Sequence, residues 1–154
     1  MNGITRVIGI GNAYRGDDAA GIRVAKALRD AKVIPPARIH QCDGDGTAIM
    51  GWFRDADRVI LIDAAEGDGE PGTIRRIDAV AEPMPRDLFA RFSHTFGIAE
   101  AIETARSLGE LPGTTVVYAI VGASWEPGGA MTPAVAKAVN EAVRTITAEL
   151  KDRG

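Results

Sequence analysis

The fold of this chain is decided near its N-terminus by residues 7–18, VIGIGNAYRGDD. The apolar run 7–11 predicts a buried strand, and the glycines at its end predict a tight turn that leads into a helix. This order places the turn at the carboxyl edge of an α/β sheet, where such folds keep their ligand sites. Because Asp17 and Asp18 lie at the opening of the helix, the turn would repel a phosphate. It favours a cation, or a substrate that carries one.

The composition is typical of one globular domain, and we expect residues 1–154 to form it. A chain that is 45% hydrophobic can bury a sizeable core at this length. A net charge of −3 without a basic run argues against a nucleic-acid partner. The sequence contains neither a membrane-spanning apolar stretch nor a signal-peptide pattern, so we expect no membrane association. The lone Cys42 excludes an internal disulfide and favours the reducing cytoplasm.

Strand and helix patterns alternate along the rest of the chain. Strands are predicted at 38–42, at 58–63, at 73–77 as an edge strand, and at 114–121. Helices are predicted over 18–32, over 49–53, around Ile98, Ile102 and Ala105, and from Thr132-Pro133 with Val135, Val139, Ala142, Ile146 and Leu150 as its apolar stripe. This order predicts an α/β fold, namely a three-layer α/β/α sandwich with a mostly parallel, doubly wound sheet.

Two acids and a histidine follow the predicted strands in a way that brings them to one edge of the sheet. Asp18 follows the first strand, Asp63 ends the central strand, and His94 precedes the helix that leads to the last strand. The carboxyl ends of parallel strands meet at one edge, so we expect these side chains to lie there. Two carboxylates and an imidazole can bind a divalent metal and leave positions open for a substrate. We therefore predict a catalytic metal site at Asp18, Asp63 and His94.

Each of these residues has an alternative explanation. The helix dipole alone would favour an acid at Asp17 or Asp18. Asp63 is harder to explain without a site, because a carboxylate at the end of an apolar run must be partnered if it is buried. His94 could also cap a helix or lie on the surface, and the other histidine, His40, lies within a predicted strand.

Other catalytic arrangements have less support. Ser93 and His94 are consecutive, so their side chains do not face each other as a nucleophile and its base. Cys42 could be a nucleophile only if His94 reached it, and its position favours a small buried apolar side chain. The glycines of 9–16 match neither the phosphate-binding loop nor the dinucleotide pattern.

The sequence resembles the [NiFe]-hydrogenase maturation endopeptidases along essentially its whole length. The resemblance is carried by Gly9-Ile10-Gly11-Asn12, Gly16-Asp17-Asp18 with Gly21, Ile62-Asp63-Ala64, Ser93-His94, Phe96-Gly97-Ile98, Val121-Gly122, Glu126-Pro127-Gly128 and Thr132-Pro133-Ala134-Val135. It implies an α/β/α fold and an endopeptidase that removes the C-terminal extension of a hydrogenase large-subunit precursor after nickel insertion. It also implies that Asp18, Asp63 and His94 contact nickel supplied by the substrate.

Two departures from the family pattern concern the proposed site. Ala19-Ala20 stands where relatives commonly have glycine after the acidic pair, which favours an earlier and more rigid helix start. The turn 43–47, DGDGT, is one residue longer and more acidic than the usual Asp-Gly-Gly-Thr, which leaves the roles of Asp43 and Asp45 open.

Other functions remain open at this point. A self-contained metallohydrolase with Zn²⁺ or Mn²⁺ could use the same three residues, and so could a non-catalytic metal-binding maturation module. A nucleotide-binding module has the least support. The loops 66–72 and 123–131 are expected to contact the substrate. Trp125 in the second loop is either an interface anchor or a cover over the local core.

Overall fold

A computed structural model of the protein describes residues 3–67, 69–85, 88–89 and 96–152. The strands are β1 (Thr5–Ile10), β2 (Ile39–Cys42), β3 (Arg58–Ala65), β4 (Ile74–Asp78) and β5 (Thr114–Val121). The helices are α1 (Ala20–Asp30), α2 (Gly46–Phe53), α3 (Ile98–Leu108) and α4 (Pro133–Asp152). None of these helices is both long and apolar enough to cross a membrane.

The strands form one sheet in the order β2-β1-β3-β5-β4. All neighbours pair in parallel except β4, which pairs antiparallel with β5 at the edge of the sheet. Side chains alternate between the faces along β3: Ile60 and Ile62 pack with α1 and α4, whereas Val59 and Leu61 pack with α2 and α3. The protein is therefore the predicted three-layer α/β/α sandwich with a mostly parallel sheet.

Every predicted element is present, with bounds that differ from the predicted ones by up to three residues; the largest difference is at α2, which begins at Gly46 rather than Ile49. Two smaller differences lie near the proposed site. A 3-10 turn, Gly16–Ala19, occupies the expected first turn of the helix, so α1 begins at Ala20 rather than Asp18. The strand β3 continues through Ala65, where it still pairs with β5, so Asp63 lies inside the strand rather than at its end. The predicted strand at 73–77 is the edge strand β4, as expected.

Two glycines let α1 approach the sheet closely. A Cβ atom on Gly21 would lie 2.2 Å from the carbonyl oxygen of Ile62, and one on Gly9 would lie 2.4 Å from that of Gly21. Such contacts are possible only without side chains at these positions. Because Gly21 sits against Ile62, the turn at 16–19 is brought to the segment of β3 that carries Asp63.

Candidate metal-binding site

Asp18 is held at the carboxyl edge of β1 by the glycine-rich turn. Its Oδ2 accepts a hydrogen bond of 3.1 Å from the backbone N–H of Asn12, and its residue is 5% exposed. Gly11 has a φ of 147°, and a Cβ atom there would lie 2.0 Å from the backbone oxygen of Asp18. The turn can therefore close over Asp18 only with glycine at position 11.

Asp63 is the buried acid of the central strand. Its residue is 5% exposed, and its Oδ1 atom has no hydrogen-bond partner among the residues that the structure describes. From the sequence, a carboxylate buried here is expected to have a partner, and the described residues do not supply one for this oxygen. A buried polar atom without a partner carries a desolvation cost, which a cation at this edge would relieve.

Asp18 lies close enough to Asp63 for its charge to act on the Asp63 carboxylate. Burial raises the pKa of Asp18 to about 6, against the smaller opposing effects of the Asn12 N–H and the charge of Arg15. Burial raises the pKa of Asp63 well above its usual range, and the nearby charge of Asp18 raises it further. Two such carboxylates resist ionisation until a cation compensates their charge. The pair is therefore suited to bind a divalent metal ion.

Asp17, the neighbour of Asp18, has the opposite environment. Its carboxylate accepts hydrogen bonds from the N–H groups of Ala123, Ser124 and Thr132, at 2.8, 3.0 and 2.7 Å, and from the Thr132 hydroxyl. Burial would raise the pKa of Asp17, but these donors together lower it. Asp17 thus anchors the loop between β5 and α4. This anchoring role was not predicted from the sequence, where Asp17 is expected to interact with the helix dipole or with a cation. Thr132, a possible donor directly before Pro133, is the sequence feature that could have indicated it.

His94 lies outside the described residues. The other histidine, His40, stacks on Trp52 with a centroid distance of 4.4 Å, and its Nε2 lies 2.9 Å from a guanidinium nitrogen of Arg6. Within the described ranges, no three acidic, histidine or cysteine side chains form a metal-binding group. A metal ion at this edge would find two carboxylates, those of Asp18 and Asp63, and any further ligand would have to come from the undescribed segments or from a substrate.

Cys42 ends β2 at the same edge of the sheet. Burial raises the pKa of its thiol to about 11, and the charges of Asp43, Asp63 and Asp45 also raise it. A thiol with this pKa is protonated at neutral pH and is a poor nucleophile. The structure therefore gives no support to a cysteine peptidase.

The acidic turn after Cys42 has a local structural role. Oδ1 of Asp43 accepts from the N–H of Asp45 at 3.1 Å, and Oδ1 of Asp45 accepts from the N–H of Thr47 at 2.9 Å. Asp45 is thus the N-cap of α2. The turn also contacts the segment before α3, because the N–H of Gly46 donates to the carbonyl oxygen of Phe96 at 2.7 Å.

Trp125 lies in the loop between β5 and α4 that Asp17 anchors. The residue is 8% exposed and belongs to the core between the sheet and the helices α1 and α4. A Cβ atom on Gly122 would lie 2.7 Å from its ring, so the indole packs directly over that glycine. Of the two interpretations from the sequence, the structure favours the cover over the local core.

Comparison with known proteins finds similar sequences that belong to one family. Residues 22–149 match the family described as HycI, hydrogenase maturation protease. Hydrogenase 2 maturation protease of Escherichia coli (strain K12) is 28% identical over 152 residues, which are 96% of this chain and 91% of that protein. The hydrogenase expression/formation protein HupD of Rhodobacter capsulatus is 26% identical, over 96% of this chain and 71% of its own length.

Solved structures show the same fold. The hydrogenase maturating endopeptidase HybD from E. coli superposes with a TM-score of 0.76 at 25% identity, covering 97% of this chain and 93% of that one. The maturation protease HycI from Thermococcus kodakarensis superposes with a TM-score of 0.68 at 20% identity, covering 96% and 92%. The family match spans most of the chain, and this protein belongs to the hydrogenase maturation protease family.

Proposed function

We propose that this protein is an endopeptidase that removes the C-terminal extension of a [NiFe]-hydrogenase large-subunit precursor after nickel has been inserted. In this proposal Asp18, Asp63 and His94 contact the nickel that the precursor carries. The observation that supports it best, in a chain of this family, concerns the buried Asp63 beside Asp18: its Oδ1 has no partner in the part of the chain that the structure describes. We also propose that the reaction takes place in the cytoplasm.

The donor set suits a divalent nickel ion. Carboxylate oxygens and an imidazole nitrogen are ligands that Ni²⁺ accepts, and three of them leave room for ligands from the precursor. Both acids carry raised pKa values, so a cation would replace the proton that each tends to retain. A precursor without nickel would lack this compensation and would bind more weakly. Recognition of the metal would thereby distinguish precursors that have received nickel from those that have not.

Hydrolysis then depends on the position of the peptide relative to this anchor. A precursor fixed through its nickel places one peptide bond at the edge of the sheet, and fixing a reactant lowers the barrier to its reaction. Water adds to the carbonyl carbon, the C–N bond breaks, and the departing amine takes up a proton. A bound metal ion can polarise the carbonyl or activate the water. Asp18 and Asp63 would orient this ion and, when not fully engaged with it, accept the proton from water.

The experiment that tests the proposal is incubation with purified large-subunit precursor, loaded with nickel or free of it, followed by mass spectrometry. The proposal predicts loss of the C-terminal extension from the nickel-loaded precursor only. The Asp63→Asn variant should leave the precursor intact. Asp30→Asn is the matched control, because Asp30 is an exposed acid at the far end of α1.

The alternative functions give different results in the same experiment. A self-contained metallohydrolase would be purified with stoichiometric metal, and its activity would not depend on nickel in the precursor. A binding module would capture the nickel-loaded precursor without cutting it. Cleavage of nickel-free precursor at the same rate would overturn recognition through nickel.

A further inference from the structure

Arg15 carries a buried donor that the described structure leaves unused. The residue is half-buried in the loop after β1, and its Nε is fully buried without a hydrogen-bond partner among the described residues. A buried donor on a charged group is costly to leave unpaired, and each such group in a native structure requires an explanation. In a chain of this family, one such explanation is that the donor forms its hydrogen bond with a bound molecule.

The neighbouring acids do not satisfy this donor. The carboxylate of Asp17 is occupied by the loop that begins at Ala123, and Oδ2 of Asp18 accepts from Asn12. Asp18 lies one 3-10 turn beyond Arg15, since its N–H donates to the carbonyl oxygen of Arg15 at 3.1 Å. The guanidinium therefore lies near Asp18, where it opposes the rise in the pKa of that acid. A metal ion would be repelled by this charge, so Arg15 is not a metal ligand.

The loop that carries Arg15 is held at both ends. The N–H of Tyr14 donates to Oδ1 of Asn12 at 2.9 Å, and the carbonyl oxygen of Tyr14 accepts from Gly128 at 2.6 Å. Gly16 has a φ of 57°, and a Cβ atom there would lie 2.6 Å from the backbone oxygen of Ser124. The backbone of Arg15 is thus fixed before any substrate arrives. On binding, only the side chain has to turn so that the buried Nε reaches the substrate, and the backbone loses little conformational entropy.

The charge of this edge indicates which acceptor fits. Asp18, Asp63, Asp43 and Asp45 all lie at the carboxyl edge of the sheet, and the last three act electrostatically on Cys42 there. A substrate carboxylate would be repelled by the ionised members of this cluster, whereas a neutral peptide carbonyl would not. Carbonyl oxygens also accept strong hydrogen bonds from guanidinium groups.

We propose that Arg15 is a substrate-binding residue whose Nε–H donates a hydrogen bond to a backbone carbonyl oxygen of the precursor segment held at Asp18 and Asp63. The inference rests on the proposed function and adds a specific contact to it. In this arrangement residues 12–15 contact the peptide of the precursor, and Asp18 and Asp63 contact its metal.

The test compares Arg15→Met and Arg15→Lys with the wild-type protein, using the nickel-loaded large-subunit precursor. Arg15→Met should lower kcat/KM between about tenfold and a hundredfold, the usual range for a hydrogen bond to a charged group. Its melting temperature should equal or exceed that of the wild-type protein, because the free enzyme loses an unpaired buried donor. Arg15→Lys should be similarly impaired, since lysine keeps the charge but has a methylene where arginine has Nε. Arg29→Met is the control, as Arg29 is an exposed arginine in the last turn of α1.

Several results would overturn the inference. Wild-type activity in Arg15→Met would show that no substrate contact is made. Rescue by lysine, or recovery of Arg15→Met at higher pH, would show that only the charge near Asp18 matters. A lowered melting temperature in Arg15→Met with a proportional loss of active protein would show that Arg15 stabilises the fold and does not bind the substrate. If the wild-type protein cuts no precursor, the proposed function fails and this inference fails with it, whereas cutting that is unaffected by the variants rejects the inference alone.

Discussion

Asp17 and Asp18 are consecutive, equally acidic and both buried, yet they have opposite environments. Asp17 accepts hydrogen bonds from three backbone N–H groups and a hydroxyl. Among the described residues, the Asp18 carboxylate accepts only from the N–H of Asn12, and it lies near Asp63. Burial alone would raise both pKa values, but the donors lower that of Asp17, while the pKa of Asp18 rises to about 6. Hydrogen-bond donors rather than burial thus decide which acid supports the fold and which is suited to a cation.

The largest effect is expected from removal of the structural acid. Asp17→Ala leaves the N–H groups of Ala123, Ser124 and Thr132 without their acceptor in a partly buried loop. We expect a loss of about 4 kcal/mol in the free energy of unfolding, since each unsatisfied buried donor costs roughly 1–3 kcal/mol. Urea denaturation measures the loss, and Asp30→Ala is the control. A change below about 1 kcal/mol would contradict the anchoring role, because surface substitutions fall in that range.

A substitution at Trp125 tests how much the packing of the same loop contributes to stability. Trp125→Ala removes a large buried side chain over Gly122, and we expect a loss of about 3 kcal/mol, as for other large-to-small changes in a core. Thermal unfolding measures it. If the variant melts like the wild-type protein but binds the precursor more weakly, Trp125 is an interface anchor after all.

The pH dependence of stability tests the difference between Asp17 and Asp18 through the pKa of Asp18. Its pKa is about 6 in the folded protein and near 4 in the unfolded chain, so between these values the folded state retains a proton that the unfolded state has released. Its protonation therefore contributes stability at low pH that is lost as the pH rises through 6, by at most about 3 kcal/mol. The difference in stability between the wild-type protein and Asp18→Asn, measured from pH 4 to 8, should follow this course. A flat difference would show that the pKa of Asp18 is not raised.

The smallest effect is expected at Cys42. Because its thiol has a pKa of about 11, it should react slowly with iodoacetamide at pH 7. Cys42→Ala should process the precursor at the wild-type rate and lose about 1 kcal/mol or less, as for a small packing defect. Complete loss of processing in a folded Cys42→Ala variant would support a cysteine peptidase instead.

Much of the fold could be predicted because its signals are local. The apolar run at 114–121 predicts β5 with the observed bounds, and the stripe from Val135 to Leu150 predicts the buried face of α4. The parallel topology follows from the order of the elements, and it places Asp18 and Asp63 at the same edge. Prediction failed where the local signals conflict, since the 3-10 turn at 16–19 precedes α1 in a stretch that also favours an α-helix.

The division of roles between Asp17 and Asp18 could not be predicted from the sequence. It depends on donors in the loop 123–132, more than 100 residues away in the chain, and no local pattern links them to position 17. The missing partner of Asp63 and the buried Nε of Arg15 also depend on tertiary packing. His94 lies outside the described residues, so its assignment stays a prediction.

The central claim is that the Asp63 carboxylate is kept without a full set of partners so that it can serve a cation, at a cost to stability. The most direct test measures both properties in Asp63→Asn, a change that keeps the shape of the side chain and removes its charge. At pH 7.5 the variant should melt at a higher temperature than the wild-type protein and should leave the nickel-loaded precursor uncut. A variant that melts at a lower temperature, or that processes the precursor at the wild-type rate, would contradict the claim.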